Sequence, residues 1–307
     1  MCYPYSTIQP FACLMNGGQK RFSKHQGSYM KILHEKTDMV ATTKAWQGSG
    51  ETVCLVPTMG NIHRGHLALI ERARKTAARV VVSIYVNPTQ FGTDEDFDSY
   101  PRTIDADYEV IAAEGGCDVI YAPTGLYDAS HATNIIPSGV ALPMEGETRP
   151  HFFGGVATVV SKLFNHIPAD FAIFGEKDFQ QLAVIRQMVR DLDINISILT
   201  HPTVREADGL ALSSRNQYLT TEQRRLAPTI YAQMQHTSAL INNGTDINTA
   251  VYQAKDQLQK AGFGKIDYFD LRHPDDFQPC DKPTATSRVF VAIWLGSTRL
   301  IDNCAIG

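Results

Sequence analysis

The stretch Val80-Val81-Val82-Ser83-Ile84-Tyr85-Val86 limits the possible folds more than any other part of the chain. β-Branched and apolar residues occupy both parities of the run, so a strand built from them leaves neither face for water. Such a strand belongs in the middle of a parallel sheet with helices on both sides, and it stops at Asn87-Pro88. The chain can supply that cover: 307 residues, 43% of them hydrophobic, suffice for one large or two moderate domains with a substantial core.

The flanking sequence repeats the alternation. Val53-Cys54-Leu55-Val56 leads through a polar turn into a predicted helix from Gly65, with Leu69, Ile70, Ala73 and Ala77 inward. After the Val80 run come a helix near Ile104 to Ala113, a stop at Gly115-Gly116 and a strand from Asp118 to Tyr121. A helix near Ala157 to Phe164, a strand at Phe171 to Phe174, a helix carrying Leu182, Ile185, Val189 and Leu192, and a strand near Ile194 to Leu199 continue the series. Repeated β-α-β units predict an α/β fold, a Rossmann-like doubly wound parallel sheet, over residues 30–203.

Beyond Thr203 the pattern changes. Thr220 and Gln223 have the spacing of a capping box opening a long helix to about Asn242; a helix to Ala261 and strands near Ile266 and from Arg288 to Trp294 follow. Residues 204–307 are therefore expected to form a smaller α+β domain. Residues 1–29 show neither strand nor helix periodicity and are expected to be a poorly ordered extension.

Composition excludes several partners. The formal charge of −4, from 28 basic and 32 acidic residues without long blocks, offers no footprint for a nucleic-acid backbone. No apolar run is long enough to span a bilayer and no signal peptide precedes Lys20, so a soluble, cytoplasmic protein is expected. Six scattered cysteines without a C-x-x-C pair read as reduced, mostly buried thiols, with disulfides the lesser alternative.

In an open parallel sheet, ligands sit beyond the carboxyl ends of the strands. Pro57-Thr58-Met59-Gly60-Asn61-Ile62-His63-Arg64-Gly65-His66 follows the first of these strands and brings two imidazoles to a helix start. Free backbone N–H groups and the helix dipole attract phosphates there, Gly65 permits close approach, and the imidazoles add directed donors. The plainer alternative is a pair of surface or capping histidines. Asn87, Gln90 and Phe91 follow the second strand, where amides suit a ligand with hydroxyls and a carboxylate, or simply form an Asn-Pro turn.

Gly175-Glu176-Lys177-Asp178-Phe179-Gln180-Gln181 places a cation at another helix start. Capping by Asp178 would be ordinary, but Lys177 opposes the dipole unless an anion is bound. Leu212-Ser213-Ser214-Arg215-Asn216 offers two hydroxyls and a guanidinium that could grip phosphate oxygens, or is an ordinary polar loop.

Together, the H-x-G-H loop and the Ser-Ser-Arg loop resemble the H-x-G-H nucleotidylyltransferase superfamily, whose members attack the α-phosphate of ATP. The strings P-T-M-G-x-x-H-x-G-H, V-S-I-Y-V-N-P-T-Q-F, F-G-E-K-D-F-Q-Q-L and L-A-L-S-S-R-N, in this order, resemble the pantothenate synthetase family. The resemblance runs from about Met30 to Leu300-Ile301-Asp302-Asn303.

That resemblance implies an ATP-dependent ligase that condenses (R)-pantoate with β-alanine through a pantoyl adenylate, releasing AMP and pyrophosphate on the route to coenzyme A. It implies an ATP site of Met59, Gly60, His63, Gly65 and His66, of Gly175, Glu176, Lys177 and Asp178, and of Val204, Leu212, Ser213, Ser214 and Arg215. His66 is the family's assigned proton donor, with His63 and Lys177 beside it in the catalytic set. Gln90 and Gln181 would hold pantoate, Gln90 would also help place β-alanine, and Asn87 lies next to them. Lys177, His63, His66, Arg215 and Mg²⁺ would neutralise charge, with Asp107 an outer metal contact through water. A homodimer, and closure of residues 204–307 over the ATP site, complete the implied picture. The less favoured readings are another H-x-G-H adenylyltransferase and a catalytically silent nucleotide binder.

One segment departs from the family pattern. After Arg149-Pro150 the family has a residue followed by His-Phe-Arg-Gly, whereas this chain reads His151-Phe152-Phe153-Gly154-Gly155. The loss of a basic side chain predicts a local change in the wall of the site, not loss of activity.

Overall fold

The computed structural model describes residues 30–92 and 95–307; the expected N-terminal extension, with Cys2 and Cys13, lies outside the described residues. The chain begins with strand β1 (Lys31–Leu33), helix α1 (Lys36–Gly48), β2 (Val53–Thr58), α2 (Arg64–Thr76), β3 (Arg79–Ile84), α3 (Ile104–Ala113) and β4 (Val119–Tyr121). It continues through α4 (Glu145–Thr148), α5 (Phe152–His166), β5 (Phe171–Gly175), α6 (Phe179–Asp191) and β6 (Ser197–His201). The six strands form one parallel sheet in the order β1-β4-β3-β2-β5-β6. The doubly wound α/β architecture expected from the alternation is therefore the observed one.

The Val80 run lies centrally, with Val80, Val81 and Val82 all essentially inaccessible. Alternate residues feed two cores. Leu55, Val81, Val119 and Ala172 meet Met39 of α1 together with α5 and α6, while Cys54, Val56, Val80, Val82 and Ile173 meet Leu69, Ile70 and Ala73 of α2 and Ile111 of α3. Both faces are covered, which is why Val53 to Val56 and Val80 to Val82 are apolar on both parities. The strand itself ends at Ile84, two residues before the apolar run does.

The chain reverses direction across the sheet between β2 and β5, and there the sheet opens. β2 pairs with β3 as far as Thr58↔Ile84, but with β5 only at Cys54↔Phe171 and Leu55↔Ala172. The Thr58 carbonyl accepts the Tyr85 N–H, so Thr58 turns its peptide groups toward β3 and Pro57 turns its own toward β5. Proline has no N–H to offer, and the ladder on that side stops.

The C-terminal part contains α7 (Thr221–Leu226), α8 (Thr229–Asn242), α9 (Ile247–Lys260), β7 (Ile266–Arg272), β8 (Arg288–Leu295) and β9 (Thr298–Ala305). Thr220 and Gln223 do form a capping box, but the helix they open is short: Pro228 separates α7 from α8 where one long helix was expected. The three strands make an antiparallel sheet in the order β7-β8-β9. One face carries α8 and α9 over Phe269, Val289, Val291 and Ile293; the other lays Tyr268, Phe290 and Ala292 against Met144 and Phe179 of the first unit. Cys54, Cys117, Cys280 and Cys304 are free thiols, as the sequence predicts, and burial pushes the first two up to about 12. Among the described residues no helix is long and apolar enough to cross a membrane.

Candidate active site

The gap between β2 and β5 leads into a cleft of about 1490 Å³. The loop after β2 turns through Gly60 and Asn61, both at positive φ (84° and 51°). Asp107 of α3 holds this unusual path: its carboxylate accepts the N–H groups of Ile62 at 2.7 Å and Asn61 at 3.1 Å, plus the Thr103 hydroxyl at 3.3 Å. A Cβ at position 60 would lie 2.9 Å from the same carboxylate, so the glycine is required by space as well as by φ. Asp107, expected as an outer metal contact, is buried and does not line the cleft, and its carboxylate anchors this loop.

The two histidines both cap α2 and face the cleft. Nδ1 of His63 accepts the Gly65 N–H at 3.1 Å, and Nδ1 of His66 accepts the His63 N–H at 3.4 Å. The rings stack with centroids 4.0 Å apart and 16° between planes. Because each Nδ1 is an acceptor, each ring carries its proton on Nε2. Burial lowers the pKa of His63 to about 4, helped by the charge of Lys177; burial, His63 and Lys177 lower that of His66 to about 3. In the free protein both are thus neutral Nε2–H donors at pH 7. The capping alternative and the ligand-facing one describe the same two rings.

Lys177 faces this pair from the end of β5, in a single turn of 3-10 helix at Glu176–Asp178. Asp178 makes no side-chain cap to α6, and its carboxylate lies 3.7 Å from Lys177 Nζ. Glu176 points away from the cleft and accepts the Thr200 hydroxyl at 3.0 Å; with Gly60, it is expected at the nucleotide but lines no part of the cleft. Gly175, Lys177, Asp178 and Gln181 do line it.

Beside them lie the amides after β3. Asn87 is 1% exposed and fully engaged: its Nδ2 donates to Gln90 Oε1 and to the Gly155 carbonyl, both at 3.2 Å, and its Oδ1 accepts from Tyr127 and Thr89 at 3.0 Å. It therefore supports Gln90. The Nε2 of Gln90 is 2.9 Å from the sulfur of Met59, a weak acceptor that a better one can displace.

Val204, Leu212, Ser213, Ser214 and Arg215 complete the wall from the C-terminal side. Arg215 is already paired: its Nε and Nη2 meet the two oxygens of Asp96 at 3.2 and 2.9 Å. Asp96 was not foreseen, because it sits in the acid-rich run 94–98 with nothing to distinguish it.

The far end of the cleft holds a second unforeseen group. Glu145, 5% exposed, accepts from Arg299 at 2.6 and 3.1 Å, from Tyr268 at 2.7 Å and from Arg149 at 3.3 Å. Burial would raise its carboxyl, but Arg299 and Arg149 hold it below the usual carboxylate range. In the departing segment, Phe152 lies 3.9 Å below the Arg149 guanidinium and Phe153 is buried in the wall, whereas Gly154 is outside it. Phe152 stands where the family has His and Gly154 where it has Arg, so of the two changed positions only Phe152 alters the wall. Among the described residues no group of three His, Cys, Asp or Glu side chains could hold a metal.

A doubly wound sheet with paired neutral imidazoles and a lysine on opposite sides of its switch point defines a nucleotide-handling α/β enzyme of the H-x-G-H class. The model of the family "Pantoate-beta-alanine ligase" matches residues 31–305, and the chain belongs to that family. It is 47% identical over 281 residues to a pantothenate synthetase of Caulobacter vibrioides, covering 90% of this chain and 98% of the relative. The crystal structure of a pantothenate synthetase from Thermus thermophilus superposes with a TM-score of 0.85 at 40% identity, covering 90% of this chain and 99% of that one. A Francisella tularensis pantoate-beta-alanine ligase, crystallised with beta-gamma ATP and beta-alanine, superposes at 0.76 with 32% identity, over 90% and 98% of the two chains.

Proposed function

We propose that the cleft joins (R)-pantoate to β-alanine in two steps, with the H-x-G-H pair and Lys177 on the phosphates and Gln90 and Gln181 on pantoate. Ligation of these two substrates is the activity of the family to which the chain belongs. The observation that carries the assignment of residues is the facing of His63 and His66 by Lys177 across the split sheet.

Pantoate's carboxylate is ionised at neutral pH, so attack on the α-phosphate needs alignment and charge neutralisation rather than a base. Lys177 and, once freed from Asp96, Arg215 supply positive charge; His63 and His66 supply Nε2–H donors that stay neutral because of their low proton affinity. Arriving phosphate opposes the depressing effect of Lys177 on His66, whose pKa is lowered chiefly by burial, and accepts its Nε2–H. The β-alanine amine then attacks the acyl carbon and AMP leaves. Ser213, Ser214 and the rest of residues 204–307 close over ATP in this reading and keep water from the adenylate.

Mg²⁺ belongs to this reading as a companion of the ATP phosphates; the described side chains build no cage for it, and no step is assigned to it. We further infer that the enzyme is a cytoplasmic homodimer, which sedimentation velocity would check by mass.

The test is formation of AMP and pyrophosphate from ATP with pantoate, with and without β-alanine. AMP release independent of pantoate would overturn the substrate assignment. His66→Ala is expected to remain folded and to lose adenylation by at least about a hundredfold, the size of one lost transition-state donor.

A further inference from the structure

Asp302 and Asn303, adjacent on β9, have no part in the reaction described above, yet they are only 6% and 2% exposed. Burying two such side chains is costly unless every polar atom is used. For Asn303 every one is. Its Nδ2 donates to the backbone carbonyls of Glu176 and Lys177, each at 2.9 Å, and its Oδ1 accepts from Arg288 Nε at 2.9 Å and Nη2 at 2.7 Å. Arg288 in turn lies 4.4 Å over the ring of Phe179, the first residue of α6.

Asp302 makes the matching contact on the opposite wall. Its oxygens receive Nη1 and Nη2 of Arg205 at 2.5 and 2.9 Å, and the guanidinium lies over Tyr231 at 3.6 Å. Arg205 follows Val204 and bridges to Ala211, the residue before the segment that carries Ser213 to Arg215. Two consecutive residues therefore grip the two backbone segments between which the nucleotide phosphates would lie.

We propose that Asp302 and Asn303 are positioning residues for adenylation, Asn303 setting the height of Lys177 and Asp302 setting, through Arg205, the loop that presents Arg215. The inference rests on the ligase reading above. A planar amide gives two N–H groups to two converging carbonyls and still offers an oxygen to a guanidinium. A carboxylate there would face both carbonyls with lone pairs and push the Lys177 backbone away.

The experiment compares wild type with Asn303→Asp, Asn303→Ala and Asp302→Asn in steady-state assays and thermal melts. Asn303→Asp is expected to lower kcat/KM for ATP by about ten- to a hundredfold, the scale of a misplaced reacting group, while KM for pantoate changes less than about twofold. Asn303→Ala and Asp302→Asn should show the same split to a smaller degree. Unchanged ATP constants would overturn the proposal, and so would ATP and pantoate constants that worsen together in step with the melting temperature. If Asn303→Asp fails to fold, Asn303→Ala carries the test. Should wild type make no pantoate-dependent AMP, the ligase reading fails instead, and calorimetric ATP binding by Asn303→Ala then decides the positioning role: unchanged binding overturns it, weakened binding supports it.

Discussion

His66 accepts the backbone N–H of His63 at its Nδ1 while the two rings stack 4.0 Å apart, so neither imidazole can gain a second proton without loosening the start of α2. The pair should stay neutral, with protons on Nε2, well below the usual histidine range. Nitrogen NMR of the ligand-free protein is expected to show both in that tautomer at pH 6, protonating only toward about 4 for His63 and about 3 for His66. Unfolded imidazoles bind protons near pH 6.5, so from there down to the folded values the unfolded state holds more of them and stability falls as pH falls. A histidine at either position titrating near 6.5 would contradict the geometry.

Asp96 occupies the fork of Arg215 that ATP phosphates would need. Asp96→Asn should lower the KM for ATP by about two- to fivefold, while Arg215→Ala should raise it by about ten- to a hundredfold, the scale of a charge-assisted pair. Equal ATP affinity in wild type and Asp96→Asn would show that the pair does not compete with nucleotide.

Asp107 should behave as a loop anchor. Replacing it with Asn turns an acceptor for Asn61 and Ile62 into a partial donor, at a cost of about 1–3 kcal/mol. Activity should drop through weaker ATP handling, and the Mg²⁺ concentration giving half-maximal rate should not move. A strong shift in that Mg²⁺ dependence would return Asp107 to the metal.

The departing segment yields a contrast between neighbours. A Cβ at position 155 would lie 2.3 Å from the Thr89 carbonyl oxygen, whereas one at 154 meets only the Ile135 carbonyl at 3.4 Å. Gly155→Ala should displace the segment carrying Gln90 and weaken pantoate binding severely. Gly154→Arg, which restores the family's basic residue, should fold normally and keep turnover within about twofold, its lost glycine offsetting strain by up to ~1 kcal/mol of helix propensity.

The parallel sheet was legible because Val53 to Val56 and Val80 to Val82 are apolar on both faces, and the start of α7 because Thr220 and Gln223 form a recognisable cap. β1 and α1 were not, since Lys31-Ile32-Leu33 is too short to show a period and α1 buries only Met39 and Thr43. β9 escaped for another reason: Asp302 and Asn303 are buried polar residues whose partners, Arg205 and the 176–177 turn, lie about a hundred positions away. In the site, residues placed by strand ends were found from the motifs, and all of the expected cleft residues except Gly60, Glu176 and Asp107 do line it. What the sequence could not reveal was which polar groups serve other residues: Asn87, Asp107 and Glu176 use their hydrogen bonds to hold the frame.

Pro57 gives the space between β2 and β5 an unusual origin. β2 stops pairing with β5 after Leu55↔Ala172, and Pro57, the next residue to face β5, has no N–H with which to resume the ladder. A wall substitution such as Phe152, which stands where the family has His, therefore leaves this backbone gap in place.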